Sequence, residues 1–331
     1  MVFELIRKNS LLCLLGILVF ITSCKQDPKQ TTVSEPATKI KTPGFVADNA
    51  FANIEKQLAF GFRVPGTAAH REMQQWAISE FEALGAKVIK QDFKADFLGE
   101  KDVPCANIIA QFYPEKSKRV MLAAHYDSRM IAEKDDERKE EPIPGADDGG
   151  SGVGVLLEIG RIIKENPLGI GVDIVLFDAE DQGSSGSSAS DWAIGSNYWS
   201  RNISPKGYRP KYGILLDMVG SENATFGKEE YSTQFAPALQ NKIWKLAANM
   251  GYSDFFRDES YGRVYDDHFA VNRIAGIKMV DIINQDPTDK SSFGFYHHTH
   301  DDNIDVISKR TLQVVGQVVL AVLYNESNGT F

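Results

Sequence analysis

Val172-Asp173-Ile174-Val175-Leu176-Phe177-Asp178-Ala179-Glu180-Asp181 is an almost wholly apolar run that ends in acid. Apolar residues without polar alternation suit a strand covered on both faces, as in parallel sheets. Carboxylates directly beyond such a strand are costly to bury unless they bind metal, pair or do chemistry. Four other segments have the same character: Ala123-Ala124-His125-Tyr126-Asp127-Ser128, Gly145-Ala146-Asp147-Asp148-Gly149-Gly150-Ser151-Gly152, Leu215-Leu216-Asp217-Met218 and Tyr296-His297-His298-Thr299-His300-Asp301-Asp302. Together they point to a metal-dependent enzyme.

The flanking sequence supplies the rest of the architecture. Residues 107–113, 120–124, 213–216 and 279–283 read as further short strands. Met73, Trp76, Ala77, Phe81 and Leu84 recur at helical spacing over 70–84, and Gly85 stops that helix. Residues 151–165 read as a helix with Val153, Leu156, Leu157 and Ile163 on its apolar face and Glu158, Arg161 and Glu165 as a polar stripe. A long helix is expected over 306–324. Strand–helix alternation of this kind predicts an α/β fold: a doubly wound, mostly parallel but mixed sheet with helices on both faces. Ligands bind such sheets beyond the carboxyl ends of the strands, where His125, Glu180, Asp181 and Asp217 fall.

The N-terminus reads as a targeting segment. Arg7 and Lys8 precede an apolar stretch over 11–21 that is short for a bilayer span. Ile21-Thr22-Ser23-Cys24 resembles a bacterial lipobox, so 1–23 is expected to be a lipoprotein signal peptide and Cys24 the lipid carrier. Residues 24–46 read as a polar, flexible tether and 47–331 as the catalytic domain. The catalytic domain is then expected in the periplasm or outside the cell, held to a membrane through Cys24. In the mature chain Cys105 stands alone, so no internal disulfide forms; beside Ile108 and Ile109 it reads as a buried small side chain. A net charge of -9 argues against nucleic acid as a partner. The charged run 129–144 reads as a solvated surface loop, and the Gly/Ser-rich run 183–191 as a loop shaping a substrate mouth.

Taken in order, His125-Tyr126-Asp127-Ser128, Asp147-Asp148, Glu180-Asp181, Asp217 and His298 resemble the zinc aminopeptidase superfamily over roughly 45–325, including Arg63-Val64-Pro65-Gly66-Thr67. Within it the chain is similar to the glutaminyl cyclases. His125-Tyr126-Asp127-Ser128-Arg129 is close to their form of that motif. A long insert precedes Trp192-Ala193-Ile194-Gly195-Ser196, and Asp266-Asp267-His268 matches a cyclase motif whose first Asp joins an active-site hydrogen-bond network. The resemblance implies one Zn²⁺ per chain on Asp148, Asp181 and His298, with Glu180 as proton shuttle and Asp217 holding the substrate amine. Trp192 would wall the pocket, and Asp266 would join the network. His125 and Asp127 would support the site or, as in the aminopeptidases, His125 would join Asp217 on a second metal. Three departures accompany it: Asp181 where many cyclases have Glu, Asp281 where animal cyclases have His, and His297 in place of a pocket Trp. The implied substrates are peptides beginning with Gln, or Glu. The alternatives are a di-zinc aminopeptidase and a binding lipoprotein on an inactive scaffold.

Overall fold

The computed structural model describes residues 40–184, 191–286, 288 and 293–331. The expected signal peptide, Cys24 and most of the tether lie outside the described residues, as do residues 185–190 of the Gly/Ser-rich loop. Helices Ala47–Leu58 (α1) and Ala68–Ala83 (α2) precede a hairpin of Lys87–Phe97 (β1) and Glu100–Phe112 (β2). Arg119–His125 (β3), Gly150–Glu165 (α3), Gly171–Phe177 (β4), Ile194–Arg201 (α4) and Gly213–Asp217 (β5) follow. Next come Phe226–Lys228 (β6), Glu230–Phe235 (α5), Pro237–Asn249 (α6) and Phe256–Ser260 (β7). Asp267–Ala270 (α7), Met279–Ile283 (β8) and Lys309–Ser327 (α8) complete the chain.

The sheet order is β1-β2-β4-β3-β5-β8. β4, β3, β5 and β8 run parallel, and β1 and β2 add an antiparallel edge beside β4. The mixed α/β sheet expected from the sequence is therefore present. The β1–β2 hairpin was not anticipated, because Val88 and Ile89 of β1 are adjacent and followed by polar Lys90, Gln91 and Asp92, so that inward alternation begins only at Phe93, Ala95 and Phe97.

Side chains alternate across the sheet as strand geometry requires. Val120, Leu122, Ala124, Ile174, Leu176, Ile214 and Leu216 pack into the larger core with α1, α3 and α8. Met121, Ala123, Val175, Phe177 and Leu215 face the other way, onto Trp199 of α4 and Val271. The polar stripe expected on α3 is only partly solvated. Glu158 is buried and takes both bonds from Arg161 at 2.7 Å, with a third from Asn49 at 3.1 Å. The C-terminal helix begins later than expected, at Lys309, because Ile304–Val306 is a separate turn and Ser308 caps α8. Residues 40–46, read as the end of the tether, are tied to α8: Asn328 holds Ile40, and Gln317 bonds Phe45 at 2.9 Å and Pro43 at 3.0 Å. No helix among the described residues is long and apolar enough to cross a membrane.

Asp173 is the one charge inside β4. Arg119 grips it through Nε at 2.8 Å and Nη2 at 2.6 Å, and Gln111 adds a bond at 3.0 Å. Asp173→Ala would leave the buried Arg119 guanidinium without its counter-ion. A loss of about 3–5 kcal/mol in urea unfolding is expected, and a loss below about 1 kcal/mol would contradict this reading of the pair.

Candidate active site

Strand register brings the site together. His125 pairs with Phe177 at the ends of β3 and β4, and Asp217 with Ile283 at the ends of β5 and β8. The parallel strands thus stop level, and their acidic and imidazole residues project from one rim. At that rim the backbone is bent by non-glycine residues in the left-handed region: Ala179 at φ 52°, Met218 at 47° and His298 at 61°. Such conformations are costly and persist where the surroundings impose them. Here the surroundings are visible. Asp178 accepts bonds from Ala106 at 2.7 Å and His70 at 2.8 Å, fixing the turn before Glu180. Asp127 accepts the backbone N–H of Glu180 at 3.1 Å and of Asp181 at 3.2 Å. Its carboxylate therefore aims the acidic pair. Asp302 does the same for Asp147 and Asp148 at 2.7 and 3.1 Å. Gly149, at φ 83°, leaves room that a Cβ would fill: it would lie 2.5 Å from the Asp127 carbonyl and 3.0 Å from His125.

The side chains so placed converge. His298 Nε2 lies 3.0 Å from Asp181 Oδ1 and 3.8 Å from Asp148 Oδ2. His125 Nε2 lies 3.0 Å from Asp148 Oδ1 and 3.2 Å from Asp217 Oδ1. All of these groups are buried. Asp148 and Asp181 do not act as helix caps; α3 begins on Gly149 without a side-chain cap. Glu180, Asp217 and Asp266 line a cavity of about 400 Å³ beside this cluster. Asp266 also caps α7, bonding the N–H of Asp267. His268 turns away from the cavity and meets Glu229 at 3.0 Å. Trp192 enters because Ala193 and Ile194 bond the carbonyls of Glu180 and Ala179 at 2.9 and 3.1 Å. Its ring stacks on His298, centroids 5.9 Å apart, and the Arg129 guanidinium covers it at 4.7 Å.

The charged loop 129–144 is solvated as expected over 136–141, but its first part is not. Arg129 is fully buried and donates to the carbonyls of Asp181 at 2.7 Å and Gly183 at 2.9 Å. Glu133 lies 2.6 Å from His298 Nδ1, Lys134 lies 2.5 Å from His297 Nδ1, and Asp135 lies 2.7 Å from His300 Nδ1. Three consecutive charges at the start of the loop thus meet the three histidines of the segment 297–300. These partners were missed in the sequence because they lie 163 to 165 residues from the groups they hold.

The electrostatics reflect crowded acids. Burial lifts the Glu180 carboxyl well above its ordinary range; His125 opposes this and Asp266 adds to it. Burial likewise pushes Asp217 up to about 7, against the hydrogen bond from His125 and with the help of Asp266. Burial also acts on Asp148, but the bond to and charge of His125 hold it below the usual range. Cys105 is buried in the cluster of Phe93, Ala95 and Phe97, and burial pushes its thiol up, as for a structural core side chain.

The cluster fits a divalent cation. Asp148 Oδ2 and Asp181 Oδ2 are buried and accept no hydrogen bond. A buried carboxylate oxygen without a partner calls for an ion, a water or a proton, and Asp266, Asp267 and Asp281 share the feature; what marks Asp148 and Asp181 is the His298 imidazole between them. Asp148, His297 and His298 each offer a donor atom within 4.8 Å of the others, as do His125, Asp148 and Asp217. Two carboxylates and an imidazole with an open side toward a cavity suit a catalytic zinc site. Glu133 on Nδ1 leaves His298 Nε2 free to ligate, the usual arrangement for a zinc-bound histidine.

Residues 107–323 match the model of Peptidase family M28. The chain belongs to that family. It is 43% identical to the glutaminyl cyclase of Bacteroides thetaiotaomicron, solved with N-acetylhistamine, over 86% of this chain and 99% of that one, with a TM-score of 0.84. The glutaminyl cyclase of Tannerella forsythia is 44% identical over 86% of this chain and 99% of that one, with a TM-score of 0.83. Aminopeptidase YwaD of Bacillus subtilis is 29% identical over 66% of this chain, and the chain spans only 44% of that relative's length. The M28 family match agrees with the strand-end chemistry from which the site was built.

Proposed function

We propose that this M28-family chain is a zinc-dependent glutaminyl-peptide cyclotransferase, converting N-terminal glutamine, and more slowly glutamate, to pyroglutamate. The observation that carries the reading is the carboxylate group Glu180, Asp217 and Asp266, lining one cavity with the Asp148–Asp181–His298 cluster. One side of the cavity suits an ammonium ion, and the other suits a metal-activated carbonyl. The likeness to glutaminyl cyclases at 43% and 44% identity favours ring closure over hydrolysis.

In this reading Asp148, Asp181 and His298 hold a single zinc ion. When bound, zinc supplies Lewis-acid polarisation of the γ-amide carbonyl. Asp217 holds the α-ammonium, supported by Asp266, and Trp192 walls the side chain of the first residue. Glu180 takes protons from the α-nitrogen as the ring C–N bond forms. It returns them to the departing nitrogen as the exocyclic C–N bond breaks. The protons lost by the α-nitrogen leave on ammonium. A carboxyl lifted by burial suits both directions of that transfer. Asp127 and His125 act by positioning: Asp127 fixes the Glu180–Asp181 backbone, and His125 bridges Asp148 and Asp217.

A second reading has one specific observation behind it. His125, Asp148 and Asp217 also have donor atoms within 4.8 Å of one another. A second zinc there would make the protein an aminopeptidase. Mass analysis of a Gln-initiated peptide after incubation separates the two: ammonia loss supports the cyclase, and a shortened peptide with free Gln supports the peptidase.

The N-terminal reading extends the proposal to location. The segment 1–23 is removed as a lipoprotein signal, Cys24 carries lipid, and the domain beyond the tether works in the periplasm or outside the cell. Several acyl chains on one Cys give stable anchoring where one gives only marginal binding. Cys24→Ala is expected to accumulate as unprocessed precursor with no diacylglyceryl label; label in that variant would contradict the lipobox.

A further inference from the structure

Two adjacent histidines reach the cavity, and one loop addresses both. His297 and His298 stack with ring centroids 3.7 Å apart. Glu133 lies 2.6 Å from Nδ1 of His298, and the next residue, Lys134, lies 2.5 Å from Nδ1 of His297. The partners are opposite in kind. A carboxylate only accepts, so Nδ1 of His298 carries a hydrogen; Nε2, 3.0 Å from Asp181 Oδ1, then presents a lone pair when a metal ion bridges the two. An ammonium only donates, so Nδ1 of His297 is the acceptor and Nε2 carries the hydrogen. Neighbouring imidazoles are thereby set in opposite tautomers, one as a ligand and one as a donor, so His297 is not counted as a ligand although a ring nitrogen lies within 4.8 Å of the donor atoms of Asp148 and His298.

His297 lines the cavity, and its Nε2 lies 3.9 Å from Asp148 Oδ2, beyond hydrogen-bond reach. His297 is otherwise packed between His298 and Phe293, whose ring centroid lies 4.5 Å away. Resting on the cyclase reading above, we infer that His297 is a further catalytic residue: its neutral Nε2–H donates to the γ-amide oxygen of the substrate as negative charge gathers there, and Lys134 is the positioning residue that fixes the tautomer. No proton is transferred by His297; the hydrogen bond strengthens as the ring C–N bond forms. A fixed donor aimed at developing charge is worth most when it is set before the reaction.

The test has two arms. His297→Phe keeps a ring between His298 and Phe293 but has no N–H. It is expected to keep its zinc and its KM and to lose kcat by roughly a hundredfold, and His297→Gln, which has a side-chain N–H, recovers part of the loss. In the second arm, NMR of the histidine side-chain nitrogens in the wild-type protein is expected to find hydrogen on Nε2 of His297 and on Nδ1 of His298. An undiminished kcat in His297→Phe overturns the proposal. So does zinc loss in that variant equal to that of His298→Ala, or a hydrogen found on Nδ1 of His297. The failures separate. A wild-type protein that cyclises no Gln peptide overturns the cyclase reading, whereas wild-type cyclisation with a fully active His297→Phe overturns the role of His297 alone.

Discussion

Glu180→Gln is expected to retain zinc and to lose cyclisation by roughly a hundredfold or more, the usual scale of general acid–base catalysis. The substitution keeps size and polarity. It also keeps the backbone bond from residue 180 to Asp127, since that bond uses the main-chain N–H. What it removes is the capacity to take up a proton and give it back. Elemental analysis alongside steady-state kinetics checks both halves of the expectation. Asp217→Ala should differ, raising KM as well as lowering kcat, because the amine then lacks its anchor and the nucleophile is misplaced. A Glu180→Gln protein cyclising at the wild-type rate would remove Glu180 from the chemistry.

His298→Ala is expected to weaken zinc binding by orders of magnitude, and Asp148→Ala and Asp181→Ala to do likewise. A metal site needs its full ligand count, and the remaining ligands cannot replace an imidazole whose other nitrogen is held by Glu133. Competition against a chelator measures the change. The loss of metal also strands buried acids: Asp148 and Asp181 lie 3% and 2% exposed, so each ligand variant and the chelated wild type should melt at lower temperature. Unchanged zinc affinity in all three variants would place the metal elsewhere.

The part of this site that was legible in the sequence is the part set by local pattern. An apolar strand followed by Glu180-Asp181, or by Asp217, announces a strand end and a costly acid together. The parallel register then makes those ends level without further information. Other features depend on tertiary pairing. Glu158 looked solvated because its helical neighbours are polar, yet Arg161 and Asn49 bury it. Residues 129–144 looked like an exposed charged loop because charge runs usually are. Residues 136–141 are exposed, but Glu133, Lys134 and Asp135 partner the histidines of 297–300, and no local signal in either segment names the other. Asp127 was read as a support for His125, from which it lies 3.5 Å away. Its stronger bonds go to the backbone of Glu180 and Asp181. The choice of His298 over His297 rested on motif likeness; the opposite partners Glu133 and Lys134 now give it a chemical reason.

The claim that this scaffold closes a ring rather than hydrolyses a peptide bond is tested most directly by product mass. Purified wild-type protein with its zinc is incubated with one peptide beginning in Gln and a second, otherwise identical, beginning in Leu, and both are followed by mass spectrometry. The predicted result is loss of ammonia from the Gln peptide with every peptide bond intact, and no change in the Leu peptide. Release of free Leu or free Gln, with the shortened peptide left behind and no ammonia loss, would contradict it.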